Sequence, residues 1–123
     1  MAESDGSSDL EKLRDVLMRF SQERDWKKFH TPKNLAMALS VEVSELLEPF
    51  QWLATGESAE LDSHQMTAIR HEMADVLAYL ILLADKLNVN LYDATLEKIK
   101  INEEKYPAEK VRGNSKKYSE YKN

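Results

Sequence analysis

With 123 residues the chain has room for one domain and one core, and three glycines and three prolines favour long helices over a turn-rich β fold. Seventeen basic against 22 acidic side chains leave a formal charge of −5, which argues against nucleic-acid and anionic-membrane partners but not against a small phosphorylated ligand carried with a metal. The absence of cysteine excludes disulfides, thiolate metal sites and cysteine nucleophiles, and the longest apolar run, residues 76–84, is too short to cross a bilayer as a helix.

Residues 1–8 are small, polar and acidic, unlike a signal peptide, so a disordered N-terminus and a cytoplasmic protein are expected. A first helix is predicted over residues 9–24, opened by Ser8 with Glu11 at capping-box spacing. Leu10, Leu13, Val16, Leu17 and Phe20 form its apolar stripe. The connector 25–30 carries Trp26 and Phe29. A second helix opens at Thr31-Pro32, where proline at the first helical position loses no bond, and runs to about Glu48 before Pro49 ends or kinks it. Phe50, Gln51 and Trp52 follow, and Thr55-Gly56 opens a polar loop.

Asp62 and Gln65 restart the chain as a third helix lasting to about Lys86. After the turn at 88–90, Asn90 caps a fourth helix that Pro107 stops after Lys105 or Tyr106. An all-α domain is therefore expected over 9–107, a four-helix bundle-type protomer followed by a basic and polar tail, 108–123. Helices two and three are apolar on nearly every face, which predicts burial on all sides. So small a bundle has few positions that surround two helices, so a homodimer or a dimer of dimers is expected.

Against that apolar background stand four acids. Glu42 and Glu45 lie on the second helix, and Glu72 and Asp75 on the third, each pair spaced i, i+3 and so on one face. Residues 46–71 between the pairs suffice for a turn and an antiparallel return that brings all four together. Buried carboxylates without partners cost several kcal/mol each, and four like charges repel. Basic groups nearby are few, with Arg70 and His71 on the first half of helix three, so divalent cations are the better remedy. An oxygen-only donor set suits magnesium, or manganese. A di-iron bundle would want Glu-x-x-His pairs, which do not occur.

The spacing Glu42-x-x-Glu45 and Glu72-x-x-Asp75 resembles the signature of the MazG-like, all-α nucleoside triphosphate pyrophosphohydrolase superfamily. Arg24-Asp25-Trp26, Phe29-His30, Pro32, Asn34, Phe50-Gln51-Trp52 and Lys98, Asn102, Lys105-Tyr106-Pro107 look like its dCTP pyrophosphatase branch. Pro49 departs from the helix-compatible apolar residue common among relatives, which makes base preference less transferable than the metal site. The resemblance implies hydrolysis of nucleoside triphosphates to a monophosphate and pyrophosphate, favouring dCTP, in cleansing the nucleotide pool. It implies that Glu42, Glu45, Glu72 and Asp75 hold magnesium, with Glu45 also the favoured general base. Lys98, Asn102, Lys105 and Tyr106 would contact phosphate and sugar, joined by Lys86 and by the tail's Arg112, Lys116, Lys117 and Tyr118. Trp26, Trp52, His30, Asn34 and Tyr79 would receive the base. The alternatives are a non-catalytic helical scaffold, its carboxylates serving as registry devices, and a related pyrophosphohydrolase acting on dUTP or a phosphoribosyl nucleotide.

Overall fold

A computed structural model of the chain describes residues 8–113. Every regular element among them is helical, in the order α1 (Asp9–Glu23), a 3-10 turn (Lys27–Phe29), α2 (Pro32–Leu47), a second 3-10 turn (Ser58–Glu60), α3 (Ser63–Lys86), α4 (Leu91–Lys105) and α5 (Ala108–Val111). The all-helical expectation holds, and each long helix starts where its cap predicts. The hydroxyls of Ser8 and Thr31 accept the N–H groups of Glu11 and Asn34, and the Asn90 side chain accepts that of Asp93. Asp62 and Gln65 form a complete capping box, with Asp62 accepting the Gln65 N–H at 2.7 Å and Gln65 accepting the Asp62 N–H at 2.9 Å. The predicted tail begins with the short helix α5, which Pro107 opens with a preset φ of −57°. The N-terminal stretch before Ser8, and Lys116, Lys117 and Tyr118, lie outside the described residues.

The chain divides into two compact units, one through Asn88 holding α1 to α3, the other from Val89 holding α4 and α5. In the first, α1 and α2 both pack against the 24-residue α3. Leu35 of α2 and Ile69, Ile81, Leu82 and Ala84 of α3 form its core. Burying each of the leucine and isoleucine side chains stabilises by roughly 1.5–3 kcal/mol, and the Ala84 methyl by less.

The corner after α1 is built from a left-handed residue. Asp25 has φ of 55°, where glycine is the usual choice, and its N–H donates to the Gln22 carbonyl. The carbonyl of buried Ser21 then accepts from both Arg24 and Trp26, which turns Trp26 back over the end of α1. Pro49 acts as expected: α2 stops at Leu47, and the chain continues in turns, Phe50 N–H to Leu47 and Leu53 N–H to Phe50.

One expectation is not met within a single chain. Leu35 is the only residue of α2 that is fully buried, while Met37, Val41, Val43 and Leu47 are each about half exposed or more. Met66, Met73 and Leu77 leave α3 open in the same way. Two helices packed on α3 cover one stripe of it and cannot surround either α2 or α3. The apolar residues of α2 therefore stand exposed on more than one side.

Candidate metal centre and the cavity beside it

The packing of α2 on α3 brings together acids that are distant in sequence. Glu42, Glu45 and Glu72 each place a carboxylate oxygen within 4.8 Å of the other two. All three are half-buried, and Oε2 of Glu42 and Oε2 of Glu72 are buried with no hydrogen-bond partner. Two ionised carboxylates offer each other no donor, and a proton or a cation between them satisfies the oxygens while also relieving the like charge. In the bare protein the proton supplies part of the answer. The Glu42 carboxyl is pushed up to about 7, first because a shared proton lets it hydrogen-bond Glu72. Burial adds to this, as do the Glu45 carboxylate, by charge and as a hydrogen-bond partner, and the negative charge of Asp75. Asp75 stands outside the close triplet, more exposed, yet near enough for its charge to be felt at Glu42.

Hard oxygen donors without nitrogen or sulfur fit magnesium or manganese. The two unpartnered buried oxygens are what a cation of this kind would satisfy. The residues present therefore fit the group that the sequence implies.

Asp75 also faces a cavity of about 330 Å³. Trp26, His30 and Tyr79, three of the five residues expected to receive a base, line it. Leu17, Phe20 and Ser21 of α1 and Ala78 and Leu82 of α3 complete the wall. Sequence reasoning missed these five, since α1 reads as a core stripe and the 76–84 stretch of α3 as buried core; the signal available was Phe20 at the end of the α1 stripe, six positions before Trp26. The Trp26 ring meets that of Phe20 edge-on, with centroids 5.7 Å apart and planes at 70°. The Arg24 guanidinium lies 3.7 Å over the centroid of the Phe20 ring and donates to the Phe20 carbonyl at 3.1 Å, which holds that ring in place. Burial lowers the His30 pKa, helped by the positive charge of Lys86, so its imidazole stays neutral and offers one donor and one acceptor.

The two remaining base candidates stand apart from this cavity. Asn34 spends its side-chain amide on the Phe29 carbonyl at 2.9 Å, bracing the turn that presents His30. Trp52 follows α2 in the loop and is 87% exposed. Lys86 closes α3, exposed, and is felt electrostatically at His30. Lys98, Asn102 and Lys105 share a face of α4 in the second unit, at helical spacing, and the Tyr106 N–H donates to the Asn102 carbonyl at 2.8 Å. Arg112 caps α5.

A family profile described as the MazG-like family matches residues 37–121. The chain is 43% identical over 113 residues to dCTP pyrophosphatase 1 of Homo sapiens and 39% identical to that of Mus musculus, covering 90% of this chain and 66% of each relative. It thus spans just under two thirds of the length of the curated relatives it matches. A pyrophosphatase crystal structure from Archaeoglobus fulgidus superposes with a TM-score of 0.77 at 41% identity, covering 86% of this chain and 99% of that one. A profile match across α3, α4 and most of α2, spanning Glu42, Glu45, Glu72 and Asp75, places this chain in the MazG-like family.

Proposed function

We propose that the chain is a magnesium-dependent nucleoside triphosphate pyrophosphohydrolase that favours dCTP and releases a nucleoside monophosphate and pyrophosphate. The observation that carries this reading is the triplet of Glu42, Glu45 and Glu72 with two buried carboxylate oxygens lacking partners. Dense negative charge of this kind is a poor site for a triphosphate alone and a good one for a triphosphate carried with divalent cations. The names of the similar proteins, dCTP pyrophosphatase 1 and a pyrophosphatase, support the same chemistry.

Glu42, Glu45, Glu72 and Asp75 would hold magnesium, or manganese. When bound, the cation neutralises the triphosphate, polarises the α-phosphorus and lowers the pKa of a nearby water. Glu45 takes the proton of the water that attacks the α-phosphorus, and the bond to the β-phosphate oxygen breaks. The neighbouring cavity is of a size that holds part of a nucleotide rather than all of it. Trp26 and Tyr79 give it flat apolar walls, and neutral His30 hydrogen-bonds a base edge. Asn34 acts through the His30 turn, and Trp52 meets the base from the loop. Lys86, Lys98, Asn102, Lys105 and Tyr106 contact phosphate and sugar. The exposed apolar sides of α2 and α3 support assembly as a dimer or dimer of dimers.

A panel of nucleoside triphosphates assayed with magnesium, with the products identified, tests the reading. Pyrophosphate and monophosphate in equal amounts are expected, with dCTP the preferred substrate. Glu42→Gln and Asp75→Asn each abolish turnover while the helical circular dichroism is retained. Wild-type turnover in either variant refutes the assigned centre, and a panel without any pyrophosphate release refutes the enzyme.

A further inference from the structure

The loop between α2 and α3 carries an anion site that the chain fills itself. Glu60 accepts the N–H groups of Ala54 at 2.9 Å, Thr55 at 2.7 Å and Gly56 at 2.7 Å, and the Thr55 hydroxyl as well. Both of its oxygens are engaged, Oε2 by Ala54 and Oε1 by the rest. Three successive backbone N–H groups converging on one carboxylate form a nest of the kind that binds phosphates and other anions. Gly56 makes the convergence possible with φ of 75°, a conformation its neighbours would resist. The Thr55 hydroxyl in turn accepts the Glu57 N–H at 3.2 Å. Four donors on one carboxylate hold its pKa down at about 2, the Thr55 hydroxyl first among them.

Trp52 sits two residues before this nest, in turns tied at their other end by the Phe50 and Leu53 N–H bonds. Its indole is 87% exposed, so side-chain packing does not fix where it points. The backbone alone does, and the backbone from 54 to 60 is closed by Glu60.

We propose that Glu60 is a positioning residue for nucleotide binding: by filling the nest of residues 54–56 it holds the loop that presents Trp52 to the base. This rests on the reading of Trp52 as a base contact. Preorganisation of this sort lowers the ordering cost of binding and leaves the chemical step alone.

The test uses the full chain with dCTP and magnesium. Stacking of a base on an aromatic ring sets the scale for Trp52→Ala, which raises KM roughly tenfold. Glu60→Ala raises KM about fivefold with kcat within about twofold, and Glu60→Gln lies between because its amide oxygen still accepts but lacks charge. The double variant Glu60→Ala/Trp52→Ala matches Trp52→Ala alone, since a clamp acting through Trp52 has nothing left to position. Effects on KM that multiply in the double variant overturn the proposal, as does a KM in Glu60→Ala equal to wild type. A Trp52→Ala variant with unchanged KM overturns it too, along with the role of Trp52, but leaves the metal centre standing. A readout free of turnover is the fluorescence anisotropy of Trp52 in a Trp26→Phe background. It falls on Glu60→Ala if the clamp holds the loop, and an unchanged value overturns the clamp even in a chain without activity. Circular dichroism checks that Glu60→Ala folds; should it not, Glu60→Gln carries both measurements.

Discussion

Lowering the pH from 8 to 6 sets protons against a divalent cation at the acidic cluster, and the size of the contest follows from Glu42. Its carboxyl titrates near 7 because a proton between it and Glu72 satisfies oxygens that otherwise have no partner. A cation must displace that proton. At pH 8 roughly a tenth of the sites carry it, and at pH 6 about nine tenths do, so the apparent affinity for magnesium falls about tenfold across the interval and tenfold more for each further unit. Binding should release close to one proton at pH 6 and about a tenth of one at pH 8. Titration calorimetry in buffers of differing ionisation enthalpy reads that number directly, and manganese with spin resonance reads the affinity. The sign for stability runs the same way. Because the folded pKa lies above the unfolded one, the bare protein gains from this group below about 4.5, and loses the gain as pH rises through about 7. Added magnesium should restore the melting temperature at pH 8 and do little at pH 5. Glu42→Gln should flatten the pH dependence between 6 and 8. An affinity that is level from pH 6 to 8 in the wild-type chain, with no proton release, would refute the shared-proton account.

Three other outcomes are expected. Leu35→Ala, at the most enclosed position of the core, should cost about 2–5 kcal/mol in a urea melt followed by helical circular dichroism. Asp25→Gly should be neutral or stabilising, and Asp25→Val should cost about 1–2 kcal/mol in the same melt, because Asp25 holds a left-handed φ of 55°. Light scattering across micromolar concentrations should give a dimer or tetramer, and Val41→Glu, charging an exposed apolar side of α2, should shift it toward monomer; a wild-type monomer throughout would remove the assembly.

The helices were legible in the sequence because their ends are chemically explicit. Ser8, Thr31, Asp62 and Asn90 each bond the N–H three residues on, a contact that needs no tertiary structure to form. The acidic cluster was legible for a related reason. Spacing of i, i+3 fixes two carboxylates on one face of each helix, so the meeting of Glu42, Glu45 and Glu72 required only that those faces pack, although the flanking Val41, Val43 and Met73 that suggested burial stay about half exposed. The cavity was half legible. Trp26, His30 and Tyr79 could be picked out by type, whereas Leu17, Phe20 and Ser21 look like any amphipathic stripe until the corner at Asp25 folds Trp26 onto them. That corner hides itself, because aspartate in a left-handed turn leaves no mark as plain as glycine.

The Glu60 clamp and the open faces of α2 lay beyond periodicity for opposite reasons. Glu60 reads as one more surface acid, since its four donors come from a loop whose convergence depends on Gly56 and on turns that no repeat announces. With α2 the pattern says too much rather than too little. Met37, Val41, Val43 and Leu47 are apolar around the helix, and an apolar surface reports only that something must cover it, not that the same chain does so. One chain supplies α3 and covers Leu35. Covering the rest takes surface from elsewhere. In the proposed assembly the two would be linked: Val41 and Val43 flank Glu42 in sequence, so excluding water from those side chains would also lower the dielectric around the carboxylates and sharpen their demand for a cation.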